Sequence, residues 1–255
     1  MTYLQQLDDI INTIIAPAAQ TTDRDSAFPR AAIHALGDAG LLGLISSKEF
    51  GGMGLGLAEA AQVVERISKV CASTAMVVTM HYCGTTVLEK FGNATIRRDI
   101  AEGAHLTTLA WSDSGSRSHF WAPVSKARRE GDDIILDGSK SMVTSAAEAD
   151  SYVWSTCPAA AEGASTLWLV NSKAAGLSQP KYFDGLGLRG NCSSPLTSTA
   201  LRLSDAAMLG TDGGGFDIMI GTVLPVFSTL IASCSIGMMD AAIEASCAHV
   251  SGNKF

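Results

Sequence analysis

The sequence predicts an α+β chain in three parts. These are an N-terminal α-helical domain over residues 1–104, a middle β-sandwich or barrel domain over 105–212, and the start of a C-terminal helical bundle over 213–255. Three observations carry this division. Apolar residues recur at helical spacing up to about residue 102. From Leu106 the pattern changes to short β-rich segments separated by turn residues, with no long helix between them. After Asp212-Gly213-Gly214-Gly215 one apolar stretch opens and carries no charge between Asp217 and Asp240.

In the first part, Leu4, Leu7, Ile10, Ile11, Ile14 and Ile15 form one helical stripe, which Pro17 is expected to end. Ser26-Ala27-Phe28-Pro29 reads as a capped start with proline near the first turn. Ala32, Ala35, Leu36 and Ala39 continue it, and Gly40 closes it. Further helices fit 57–70, 73–91 and 94–102. In the second part, strands fit 106–112, 124–129, 132–137, 141–145, 152–156, 165–170 and 197–203. Turns are expected at Gly131-Asp132, at Asp137-Gly138 and over 159–165. The final helix, 216–250, has too little charge to face water and must be buried. Its packing partners are expected beyond Phe255.

With 255 residues the chain exceeds the usual single domain. A net charge of −7 argues against nucleic acid or an anionic membrane surface as the main partner. Six scattered cysteines without CxxC spacing read as thiols in a reducing compartment. No secretory signal is visible, so the cytoplasm is the expected location. The uncharged run 218–239 has the length of a membrane span. It also contains Gly221, Pro225, Ser228, Ser233 and Gly237, and a helix enclosed by neighbours in a soluble bundle reads the same way.

Several motifs carry no chemistry. Gly51-Gly52-Met53-Gly54-Leu55-Gly56 lacks the preceding strand of a dinucleotide loop and reads as a helix-to-helix turn. The five histidines show no metal-ligand spacing, and His81, in an apolar helix, reads as a hydrogen-bonded core residue. No Ser/His/Asp arrangement is defensible. The segment 109–118 differs: a strand ends in glycine and small hydroxyl residues, which supply donors for a flat ring or a pyrophosphate. A second small-residue end, Val143-Thr144-Ser145-Ala146, follows from the same layer.

These segments, in their order, resemble the acyl-CoA dehydrogenase family along the whole chain. The helical opening matches through Phe28-Pro29, Gly40-Leu41-Leu42-Gly43-Leu44 and Glu49-Phe50-Gly51-Gly52. The family's T-E-P-x-A-G-S-D motif falls on 112–119 and its K-x-W-I-T-N motif on 140–145. Gly187-Leu188-Arg189-Gly190-Asn191 is similar to its G-x-R-x-S/T segment, and Gly214-Gly215-Phe216 opens its long helix. The resemblance implies an FAD-dependent oxidoreductase, with FMN the alternative, that dehydrogenates an acyl-CoA thioester. It implies flavin contacts from Trp111, Ser112, Ser118, Met142, Val143 and Thr144, and substrate contacts from Ser118 and Phe227. It also implies a homodimer or homotetramer and an electron-transfer partner.

Departures from the family pattern are specific. The first motif has lost its glutamate-proline pair to Asp113 and Ser114, and the second has Met142 for its aromatic. Phe227 stands where acyl-CoA enzymes place an arginine near coenzyme A, and Val226 where one branch places its catalytic glutamate. Gly252 stands where an arginine commonly meets the FAD adenine. The commoner glutamate site lies beyond Phe255, so the catalytic base is unknown. Two alternatives follow: a flavin-dependent monooxygenase of the same fold, and an inactive relic acting as a binding or assembly module.

Overall fold

A computed structural model describes residues 2–117, 119–179 and 184–252. The opening stripe forms α1 (Tyr3–Ile10) and α2 (Ala16–Arg24), joined without a break by a π-helical turn over Ile11–Ile15. Pro17 therefore does not end the helix. In a straight α-helix its ring collides with the carbonyl four residues back. The wider turn just before it, where the Ala16 N–H reaches back to Ile11, moves that carbonyl aside.

Helices α3 (Arg30–Asp38), α4 (Leu57–Ser68), α5 (Ala72–Phe91) and α6 (Ala94–Ala101) complete the helical layer. Leu7, Leu36, Val63, Val64, Ile67, Val78 and Tyr82 meet in its core. The 51–56 segment is a turn into α4, and the N–H of Gly56, just before the helix, donates to the Glu59 carboxylate at 2.9 Å.

The β layer consists of two four-stranded sheets. One contains β1 (Thr107–Ala110), β4 (Ser151–Thr156), β5 (Thr166–Asn171) and β8 (Met208–Leu209) in the order β1-β4-β5-β8, with only the β1–β4 pair parallel. The other contains β2 (Lys126–Glu130), β3 (Asp133–Val143), β7 (Ser194–Ser204) and β6 (Leu177–Ser178), ordered β2-β3-β7-β6 and antiparallel throughout. Ile134, Leu136, Tyr152, Trp154, Trp168 and Leu201 fill the space between the sheets. The outer face of the first sheet, through Leu109, Val153 and Leu167, packs on Cys83, Val87 and Leu88 of α5. That sheet is covered on both faces, so β4 is buried at every position and shows no polar alternation.

The expected strands 132–137 and 141–145 are one strand, β3, and Asp137-Gly138 is not a turn. A Cβ on Gly138 would stand 2.0 Å from the Ser125 hydroxyl, so the glycine permits a close approach rather than a reversal. The β3–β7 register shifts between Leu136 and Gly138, which absorbs the irregularity.

The last helix combines α7 (Gly215–Ile218), a π turn over Met219–Val223 and α8 (Leu224–Gly252). By length and composition it could cross a membrane, with a mean hydropathy of 1.8 in its most apolar window. It was expected to be buried all round and is not. Leu230, Ser233, Cys234 and Gly237 are buried, whereas Ile236, Met238, Met239, Ile243 and Val250 face solvent. The helix is apolar on every side, and α4 and α5 cover one of them.

Candidate functional site

Strand alternation decides which side chains reach the site. Leaving β1, Leu109 and Trp111 point toward the helices while Ala110 points into the sandwich. At the end of β3, Met142 is exposed and Thr144 half-buried, whereas Val143 is fully buried in the sandwich core. Val143 therefore turns its side chain away from the position expected for it. Ser118 lies outside the described residues.

The loops after β1 and at the end of β3 are laced together. The Ser114 N–H donates to Ser139 O at 2.8 Å, and the Ser141 N–H to Ser112 O at 2.8 Å. Between them lies a fully buried ion pair, with Lys140 Nζ 2.6 Å from Asp113 Oδ1. Lys140 also donates to the Ser155 carbonyl at 2.6 Å and stands 5.0 Å from the Trp154 ring centroid. Burial pushes the Lys140 ammonium down to about 8, against the opposing pull of the Asp113 charge. Sequence reasoning assigned neither residue a role.

Against these loops lies a cleft of about 600 Å³ including its mouth. Leu109, Trp111 and Phe120 form one wall. Ser112, Met142 and Thr144 form the edge from the β layer, and Met80, Val223, Leu224 and Phe227 close it from the helices. The structure thus brings together Trp111, Ser112, Met142, Thr144 and Phe227. Met80, Leu109, Phe120, Val223 and Leu224 were missed, because an apolar side chain carries no chemical signal in sequence. No titratable side chain lines the cleft among the described residues.

The polar groups in this cleft are few. The Trp111 carbonyl accepts from Ser155 Oγ at 3.3 Å, and the Ser112 carbonyl is taken by Ser141. The Trp111 and Ser112 carbonyls are thereby committed within the protein and the Thr144 hydroxyl lies 3.5 Å from Ser193 Oγ, which leaves the Ser112 hydroxyl and the Trp111 indole N–H. That N–H is buried and has no partner. Trp111 stacks on Phe120, with centroids 6.0 Å apart and planes at 19°.

Met142 and Thr144 also line a second groove, shared with Gly187, Leu188, Arg189, Asn191 and Ser193. The Ser145 N–H donates to Asn191 O at 2.9 Å and the Ala146 N–H to Cys192 O at 3.2 Å, which joins the 187–191 segment to the end of β3. Away from the cleft, His81 is a buried core residue. Its Nε2 lies 3.0 Å from Leu42 O and its Nδ1 accepts from the Thr107 N–H at 3.2 Å. No His/Cys/Asp/Glu group among the described residues is arranged to hold a metal ion.

A helical layer, a two-sheet β layer and a long apolar helix meet at this cleft, and that order of layers is the acyl-CoA dehydrogenase-like fold. Residues 2–104 match the family model for the acyl-CoA dehydrogenase N-terminal domain, and residues 108–200 match that for the middle domain. The chain belongs to the acyl-CoA dehydrogenase family. It is 31% identical over 250 residues to human short-chain specific acyl-CoA dehydrogenase, mitochondrial, covering 94% of this chain and 60% of that protein. Against the acyl-CoA dehydrogenase of Bacillus subtilis the identity is 27% over 243 residues, covering 92% of this chain and 64% of the relative. The structure of butyryl-CoA dehydrogenase from Megasphaera elsdenii superposes with a TM-score of 0.88 at 20% identity, over 95% of this chain and 66% of that one. The chain spans about 60% of the length of the curated relatives it matches.

Proposed function

We propose that this chain acts in the FAD-dependent α,β-dehydrogenation of an acyl-CoA thioester. The supporting observation is the cleft in which the two laced loops face the last helix. Its residues fit a flavin ring: the walls are apolar, and the edge carries Ser112 and Thr144. The adjoining groove past Met142 and Thr144 continues from the cleft edge, and FAD is the cofactor this reading takes, with FMN the alternative.

When bound, the flavin supplies an electron sink for the hydride equivalent lost from the substrate. The chain's own residues supply the surroundings. Leu109, Trp111, Phe120 and Phe227 exclude water, which strengthens every hydrogen bond to a thioester carbonyl. Ser112 and Thr144 orient the ligand from the sheet edge. A proton α to a thioester is weakly acidic and needs a base, and none of the described cleft residues is one. Assembly as a homodimer or homotetramer and reoxidation by an electron-transfer partner go with this reading.

The test is titration of the purified chain with FAD, followed by dye reduction with acyl-CoA thioesters. Bound flavin with a perturbed visible spectrum is expected. A folded protein that leaves the flavin spectrum unchanged rejects the reading.

One observation favours a second reading, a flavin-dependent monooxygenase of the same fold. Phe227 occupies the helical side of the cleft, and no cation lines it among the described residues. Oxygen consumption with reduced flavin and no acyl-CoA turnover would select it.

A further inference from the structure

We propose that the buried Asp113–Lys140 pair tunes the reduction potential of a flavin held in the cleft, with Lys140 cancelling a carboxylate that would otherwise oppose reduction. The inference rests on the flavin reading above and goes beyond it to the residues that set the redox balance.

Asp113 acts first as a staple. Its carboxylate accepts from the Val124 and Ser125 N–H groups at 2.6 and 2.7 Å and from Ser125 Oγ at 2.8 Å. The loop leaving β1 is thereby tied to the segment that leads into β2. All of these partners are donors, and the ionised carboxylate is the form that accepts from every one of them. The staple therefore brings a negative charge with it.

That charge stands beside the cleft. Ser112, the residue before Asp113, lines the cleft, as does Met142, two positions along β3 from Lys140. Neighbouring Cα atoms are about 3.8 Å apart and alternate strand residues about 7 Å, so the pair lies on the order of 10 Å from the cleft edge. A hydrogen-bonded path joins the two as well. Lys140 Nζ donates to Ser155 Oγ at 3.0 Å, and Ser155 Oγ donates at 3.3 Å to the carbonyl of Trp111, a wall of the cleft. Both charged side chains are fully buried, where salt screens them far less than at the surface.

A flavin ring that takes up a hydride gains one negative charge. A lone carboxylate at this range opposes the gain, and a cation beside it cancels the opposition. Lys140 is that cation, with Nζ 2.6 Å from Asp113 Oδ1. Burial lowers its ammonium to about 8, which leaves it charged at pH 7. No titratable side chain lines the cleft among the described residues, so the field at the ring arises from groups behind its walls.

The affinity for oxidised FAD is measured by fluorescence, and the two-electron potential at pH 7 by equilibration with reference dyes, with no acyl-CoA present. The proteins are the wild-type chain, Lys140→Gln, Lys140→Met and the double variant Asp113→Asn/Lys140→Met, each checked for folding by near-ultraviolet circular dichroism. Lys140→Gln keeps an amide donor for Asp113 and Ser155 and removes only the charge. Loosened loops weaken oxidised and reduced ring alike and leave the potential unmoved, whereas a stranded carboxylate weakens the reduced ring selectively.

Each single variant is expected to lose about tenfold in affinity for the reduced ring relative to the oxidised one, which lowers the potential by about 30 mV for a two-electron couple. The double variant, with neither charge, is expected to return to the wild-type potential. A folded Lys140→Gln or Lys140→Met at or above the wild-type potential, or a double variant as low as the singles, overturns the inference and leaves the flavin reading intact. A wild-type chain that binds no flavin overturns both.

Discussion

Lys140 Nζ lies 2.6 Å from Asp113 Oδ1 with both side chains fully buried, and this contact holds the two cleft loops together. Both charges are otherwise satisfied. Asp113 accepts from the Val124 and Ser125 N–H groups at 2.6 and 2.7 Å and from Ser125 Oγ at 2.8 Å, while Lys140 donates to Ser155. Removing one partner strands a buried charge, which costs about 3–5 kcal/mol. Lys140→Met and Asp113→Asn are each expected to lower urea-unfolding stability by about 3 kcal/mol or more. The double variant is expected to lose less than the sum. Flavin affinity falls with either single change, because Ser112 and Met142 lose their common anchor. Strictly additive losses would show that the charges do not act as a pair.

His81 gives the fold an acid sensitivity that one substitution isolates. Burial holds its imidazolium down to about 4, below the ordinary value near 6.5. The neutral ring, with its proton on Nε2, satisfies both Leu42 O and the Thr107 N–H. As pH falls through 6.5 the unfolded chain takes up the proton first, so stability present above that pH is lost down to about pH 4. Between pH 7 and 4.5 the wild type is expected to lose about 2–3 kcal/mol more than His81→Asn in urea unfolding. Equal losses in the two proteins would place the acid sensitivity elsewhere.

Gly237 sits where α8 crosses α4 at close range. A Cβ there would lie 2.0 Å from Ser68 Oγ and 2.2 Å from the Glu65 carbonyl oxygen. Alanine is better than glycine in a helix interior by about 1 kcal/mol, whereas overpacking costs about 1–3 kcal/mol. The backbone carbonyl cannot rotate aside, so the clash wins. Gly237→Ala is expected to lower Tm, and adding Ser68→Ala does not restore it because Glu65 O remains. A raised Tm would mean that the crossing has slack.

Periodicity made the layers legible in sequence, whereas Trp111, Ser112, Met142, Thr144 and Phe227 were named through the resemblance to the acyl-CoA dehydrogenase motifs, and the structure brings them around one cleft. The errors have local causes. Pro17 was read as a stop because a compensating π turn has no sequence signature. Asp137-Gly138 was read as a turn because the partner that demands a glycine, Ser125, lies on another segment. Val143 was given a flavin contact through the resemblance, whereas its side chain is buried in the core between the sheets. The Asp113–Lys140 pair stayed invisible for a different reason. Each residue reads as an ordinary surface charge until the fold shows that both are buried.

The exposed face of α8 has its own consequence. Ile236, Met239, Ile243 and Val250 face solvent, with the exposed Cys247 between the last two. Their spacing of three and four residues forms one apolar seam of the kind that pairs helices. The opposite stripe is occupied by α4, to which Lys69 and Glu244 add an ion pair. Contiguous apolar surface of this type drives association. The 255-residue chain is expected to sediment as oligomers at micromolar concentration. Ile243→Glu, which places a charge in mid-seam and touches neither α4 nor the cleft, shifts it toward monomer. Association that survives Ile243→Glu, with the variant's unfolding curve unchanged, would move the contact to another face.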